Sequence, residues 1–306
     1  MKSKIAKALI VLLILAFSIC ALFACSENRD VPPDGVIDNG GDDGKNDNVT
    51  PDDKNKLSAK DGYEYGEDIE ITYTSEITDL PKHAMVTLPA DYDEEKAYPV
   101  LYLLHGMACD HKTWLEDCNA KYIVQNLHFD ENVKDIIIVS VNCIVTAGEV
   151  APSVTSPSYA AAFDRTADDI VTSLMPYINQ NFATSEGREH TALAGFSMGG
   201  REALLTAFKY PEAFGYVGAF SAAGFSSNVM SSNPEVPDFK ITDGAQFEYL
   251  MLAIGTLDFS TGHVTTQIAN VFDKNEVQYV KKTYVGGHDY SVWKNALYDF
   301  TKAVFA

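Results

Sequence analysis

Two short runs of this chain are apolar almost without interruption. Residues 100–104 read VLYLL and residues 135–141 read DIIIVSV. A strand with one wet face alternates polar and apolar residues. One that is apolar throughout is covered on both faces, as in a parallel sheet between helices, and runs this short are too brief for helices. The rest of the chain alternates in the same sense. Strands are predicted at 69–74, 84–88, 190–194, 216–220, 249–254 and 278–285, and helices at 119–127, 163–182, 199–210 and 290–304. Strand–helix alternation of this kind implies a mostly parallel sheet with helices on both faces. Residues 62–306 therefore read as one α/β domain, without internal repeats.

The preceding segment is of another kind. Lys2, Lys4 and Lys7 open an apolar stretch ending in Leu22-Phe23-Ala24-Cys25. Residues 1–24 read as a lipoprotein signal peptide, because Leu-x-Ala-Cys resembles a bacterial lipobox. Cleavage before Cys25 would put diacylglycerol on its thiol and hold the protein at a membrane surface. An ordinary signal peptide on a secreted protein and a retained membrane anchor are the alternatives. Residues 25–61 are rich in Asp, Asn, Gly and Pro, and read as a disordered tether. The run at 38–44 lacks the alternating oxygen ligands and closing Glu of a calcium loop. The formal net charge of −20 repels phosphate backbones and argues against nucleic-acid partners. For Cys109, Cys118 and Cys143, a Cys109–Cys118 disulfide and three buried thiols both fit, and no spacing matches a zinc site.

The most specific stretch is TALAGFSMGGREAL, residues 191–204. Ser197 lies between Gly195 and Gly199, after a short strand and before a helix. That is the context of a nucleophile elbow, in which a sharp strand-to-helix turn holds a serine hydroxyl above the sheet edge. The Met198 N–H at the helix start could bind an oxyanion. A serine needs a base and a group to orient that base. In this fold both follow the serine in the chain, which leaves His263 and His288. His288 sits in a loop after a strand and is the candidate base, while His263 opens a helix. Asp258, just past the 249–254 strand, is the candidate acid; Asp289 is its rival. In the loop after the 100–104 strand, Met107 is the candidate second oxyanion donor and His105 a brace for that loop.

Together YLLHGM, GFSMGG, GTLDF and GGHDYSVWKNALYDF resemble the esterase D-like group of α/β hydrolases, and within it bacterial feruloyl and acetylxylan esterases. The resemblance spans about 69–305. It implies an α/β-hydrolase fold and a serine esterase with Ser197, His288 and Asp258 as nucleophile, base and acid. It implies no metal or organic cofactor. Its expected partner is an ester-substituted polysaccharide or oligosaccharide, with feruloyl or acetyl groups on plant xylan as substrate. Met107-Ala108-Cys109-Asp110 departs from the glycine-rich run usual there. Trp114, Tyr159, Phe163, Tyr290 and Trp293 lie on segments that could flank the site, with Trp114, Tyr290 and Trp293 as candidate substrate contacts; core packing is the alternative for each. An acyltransferase on the same fold and a non-catalytic surface lipoprotein are the competing functions.

Overall fold

The computed structural model describes residues 56–156, 158–227, 231, 233–241 and 246–305. The expected signal peptide, Cys25 and most of the tether lie outside the described residues. Residues 56–61, expected to close the tether, instead belong to the folded unit. The side-chain amides of Asn119 and Asn126 donate to the carbonyls of Leu57, Lys56 and Ser58. Lys60 pairs with Asp130. Polar composition hides this docking, because the bonds run through the backbone of 56–58 to side chains more than 60 residues away.

Eight strands are present among the described residues: β1 (Asp68–Ser75), β2 (Leu80–Thr87), β3 (Val100–Leu104), β4 (Ile137–Val141), β5 (Thr191–Phe196), β6 (Tyr216–Phe220), β7 (Tyr249–Gly255) and β8 (Val280–Tyr284). They form one sheet in the order β1-β2-β4-β3-β5-β6-β7-β8. β2 pairs antiparallel with β1 and β4, and every other pair is parallel. The helices are α1 (Thr113–Glu116), α2 (Ala120–Glu131), α3 (Thr166–Asp169), α4 (Met175–Asn181), α5 (Met198–Lys209), α6 (Gly262–Lys274) and α7 (Tyr290–Val304).

β3 is buried at all five positions, as its composition requires. Val100, Tyr102 and Leu104 face one core with Leu204 of α5 and Ile268 and Phe272 of α6. Leu101 and Leu103 face the other, with Ile123 and Leu127 of α2 and Leu297 and Phe300 of α7. The period-two alternation of a strand thus feeds two helical layers. This is the α/β-hydrolase fold.

The helix expected over 163–182 runs from Thr166 to Asn181 without a gap, but it carries a π-helical turn. α3 and α4 flank a π-helical turn at Ile170–Leu174, and Pro176 is the second residue of α4. Proline has no N–H to give the carbonyl four residues back, and its ring crowds that carbonyl. β2 begins four residues earlier than alternation suggests, because its ladder with β1 runs out to Ser75 opposite Leu80.

Candidate active site

The site is built on the ends of β3, β5, β7 and β8. β5 ends at Phe196, and Ser197 follows with φ 54° and ψ −118°, before α5 begins at Met198. A positive φ is costly for a residue with a side chain and persists only where the surroundings impose it. Here the imposing contact is backbone on backbone. A Cβ on Gly199 would lie 2.1 Å from the Leu104 carbonyl oxygen, and one on Gly195 would lie 2.4 Å from the Gly199 carbonyl. The two glycines let β5, β3 and α5 meet at distances no other residue allows, and Ser197 takes up the strain.

His288 reaches this serine from the loop after β8. Its Nε2 is 3.0 Å from Ser197 Oγ, and its Nδ1 is 2.9 Å from Asp258 Oδ2. Asp258 Oδ1 accepts the N–H groups of Ser260 and Thr261, and Oδ2 also accepts the Thr261 hydroxyl. Burial works against charge on Asp258, but the His288 and Thr261 hydrogen bonds and the imidazole's charge outweigh it and hold the carboxyl at about 2. An ionised Asp258 can only accept, so the Nδ1 it meets carries a proton and Nε2 is left basic toward Ser197. The structure brings Ser197, His288 and Asp258 into one hydrogen-bonded chain.

The other candidates fall elsewhere. His263 lies in the first turn of α6. Asp289 is the N-cap of α7, accepting from the Ser291 and Val292 N–H groups. His105 is fully buried. Its Nε2 accepts the Cys143 N–H at 3.0 Å, so Nδ1 donates to the Gly106 carbonyl at 2.8 Å. Burial keeps it neutral, pushing it down to about 4.

The β3 loop passes directly against the serine, since a Cβ on Gly106 would sit 3.3 Å from Ser197 Cβ. Met107 follows in this loop, and Met198 is the first residue of α5. Neither N–H donates a backbone hydrogen bond to another described residue outside regular structure. Opening a helix, Met198 has no intrahelical acceptor to meet.

The aromatic candidates divide. Trp114 is fully buried, its Nε1–H donates to the Leu104 carbonyl, and its ring packs edge-on to Phe196. A wholly enclosed ring offers no face to a ligand, so Trp114 is a core residue rather than a substrate contact. Trp293 is likewise 2% exposed. It stacks on Phe196 at 4.2 Å and 9°, and meets the His288 ring edge-to-face at 5.1 Å. It is a wall behind the imidazole rather than a substrate platform. Tyr290 is half-buried, with its ring against Trp293. Phe163 and Tyr159 are buried. The sequence reading missed Thr261, whose amide and hydroxyl both bind Asp258; its place three residues after an Asp at a helix start was the available signal.

Comparisons with known proteins agree with this architecture. Residues 75–303 match the family model "Esterase". An endo-1,4-beta-xylanase/feruloyl esterase of Xylanibacter ruminicola is 31% identical over 183 residues, covering 56% of this chain and 24% of the relative. The iron(III) salmochelin esterase of Escherichia coli is 30% identical over 142 residues, 43% of this chain and 35% of the relative. The chain thus spans only a quarter to a third of the length of these relatives. Among solved structures, a CE1 ferulic acid esterase from the anaerobic fungus Anaeromyces mucronatus, in complex with ferulic acid, superposes with a TM-score of 0.76. It is 29% identical, and the match covers 83% of this chain and 95% of that one. The chain belongs to the Esterase family.

Proposed function

We propose that the protein is a serine carboxylic-ester hydrolase. The observation that carries this is the unbroken chain from Ser197 Oγ through His288 to Asp258, with contacts of 3.0 and 2.9 Å at a serine of positive φ. His288 Nε2 takes the Ser197 proton as the oxygen attacks the ester carbonyl. The Met107 and Met198 N–H groups bind the tetrahedral oxyanion. His288 then returns the proton to the leaving alcohol, and an acyl-serine remains. Water attacks it with the same assistance and restores the serine. Asp258 holds the imidazole in its productive tautomer and stabilises the imidazolium.

The substrates proposed are feruloyl or acetyl esters of plant cell-wall xylan. Support comes from the xylanase/feruloyl esterase and ferulic acid esterase relatives. The half-buried Tyr290 is the remaining candidate contact for an aromatic acyl group or a sugar face. Lipid on Cys25, with 25–55 as its tether, would display the enzyme outside the bacterial cytoplasm. This part rests on the sequence Leu-Phe-Ala-Cys alone.

Turnover of a chromogenic acetate ester, methyl ferulate and acetylated xylan tests the proposal. Ser197→Ala should lower kcat by about 10⁴–10⁶. Equal turnover by wild type and Ser197→Ala would end the serine mechanism. Radiolabelled palmitate that fails to enter the full-length chain at Cys25 would end the anchor.

A further inference from the structure

We propose that Tyr159 is a positioning residue for the oxyanion hole, aiming the Met107 N–H through the peptide that follows it. The inference rests on the serine esterase reading above and concerns how its second donor is held.

Met107 stands between two peptide planes. The first joins Gly106 to Met107 and carries the Met107 N–H on one side and the Gly106 carbonyl on the other. His105 Nδ1 binds that carbonyl at 2.8 Å. The second joins Met107 to Ala108. Its N–H donates to the Tyr159 hydroxyl at 2.7 Å. With one plane held at its oxygen and the next at its nitrogen, the two backbone torsions of Met107 have little freedom. The direction of the Met107 N–H is fixed with them.

The second hold is needed because the loop is not relaxed. Ala108 has φ 59°, a left-handed conformation that an alanine adopts only when held there. Without the tyrosine, the Ala108 peptide could rotate toward an ordinary φ, and Met107 would turn with it.

Tyr159 is itself immobilised. It is 2% exposed, and its ring lies 5.6 Å from that of Phe163. Its segment is tied back to the end of β4 by Val145 N–H donating to the Ala162 carbonyl and by the Thr166 hydroxyl donating to the Cys143 carbonyl. Beyond it, Asp169 of α3 is clamped by the fully buried Lys82, which also donates to the Asn142 carbonyl. The Cys143 N–H in turn sets the tautomer of His105. Both holds on Met107 therefore trace back to the loop after β4. That loop is a template for the oxyanion loop, although it carries none of the residues proposed to touch the reacting atoms.

Tyr159→Phe keeps the ring and removes only the acceptor oxygen. With p-nitrophenyl acetate, kcat should fall about 10- to 100-fold, short of the 10²–10³ for a donor lost outright, with KM unchanged. Inhibition by phenylboronic acid, whose serine adduct puts an oxygen in the same hole, should weaken by a similar factor. Phe272→Leu loosens the same core at α6, where the ring packs on Phe208 and Phe239, and spares both holds on Met107. It should lower the melting temperature and leave kcat near wild type. A Tyr159→Phe enzyme with wild-type kcat would overturn the proposal. So would a raised KM at unchanged kcat, which would make Tyr159 a substrate contact. Equal kcat losses in Tyr159→Phe and Phe272→Leu would also overturn it, leaving general loss of stability as the cause. Wild-type turnover abolished in Ser197→Ala is the separate check on the parent reading; its absence would fail that reading instead.

Discussion

Asp258→Asn isolates one function of the proposed acid, because the structure dictates how the new amide must lie. Asp258 Oδ1 accepts two backbone N–H groups, from Ser260 and Thr261. Only the amide oxygen can replace it; the amide nitrogen there would face two donors with a third. The NH₂ therefore takes the place of Oδ2, where it points at His288 Nδ1. A donor at that point forces Nδ1 to accept, so the imidazole proton moves to Nε2, 3.0 Å from Ser197 Oγ. The base then presents a hydrogen where it should present a lone pair. The size of the fold perturbation is small, since the side chain keeps its shape and both backbone bonds. The kinetic effect should be about 10⁴ in kcat, or about 5 kcal/mol of transition-state stabilisation, with KM nearly unchanged. Steady-state turnover of a chromogenic acetate ester reads it, alongside a melting curve to show the fold intact. Asp289→Asn serves as the control. It should change stability little, because Asn caps a helix about as well as Asp, and leave kcat within a few-fold of wild type. An Asp258→Asn enzyme within tenfold of wild-type kcat would refute the tautomer argument.

Two further outcomes follow from the same geometry. Trp114→Ala should lower unfolding free energy by about 3–5 kcal/mol in denaturant titration, as for other large buried aromatics. KM for methyl ferulate should stay the same in the refolded variant; a KM effect with unchanged stability would return Trp114 to the substrate site. Asp258 also contributes to acid stability. Its folded carboxyl sits at about 2 against 3.8 for the unfolded group, so the contribution is present above about pH 4 and is lost as pH falls through 2. The stability gap between wild type and Asp258→Asn, measured by denaturation from pH 5 to pH 2, should shrink by about 2 kcal/mol.

Much of this could be read from the chain because the governing signals are local. β3 and β4 are uniformly apolar, and that alone demands a sheet covered on both sides. Gly195 and Gly199 bracket a serine at a strand-to-helix junction, and the contacts their missing Cβ atoms would make are the reason for both. His288 and Asp258 stood out because each directly follows a strand that points to the same edge. What stayed hidden depends on contacts between distant segments. Trp114 looked available because it follows the oxyanion loop, but the 100–104 strand and Phe196 enclose it. Residues 56–61 are polar and still dock, through amides of α2 that composition cannot reveal. The Tyr159 hydroxyl finds an amide 51 residues earlier, at an alanine whose positive φ has no signature in the sequence.

The hydroxyl, imidazole and carboxylate leave three separate strand ends, with 91 residues between the first two and 30 between the last two. The crossing after β4 belongs to none of those ends, whereas the one after β6 opens with the Ala223 N–H donating to the Ser197 carbonyl. Changes of length beyond Ala223 in the β6 crossing leave those three ends in place, because none of them lies there. The β4 crossing has less licence if it also tensions the oxyanion turn. Insertions would then accumulate beyond Ala223 sooner than between β4 and β5.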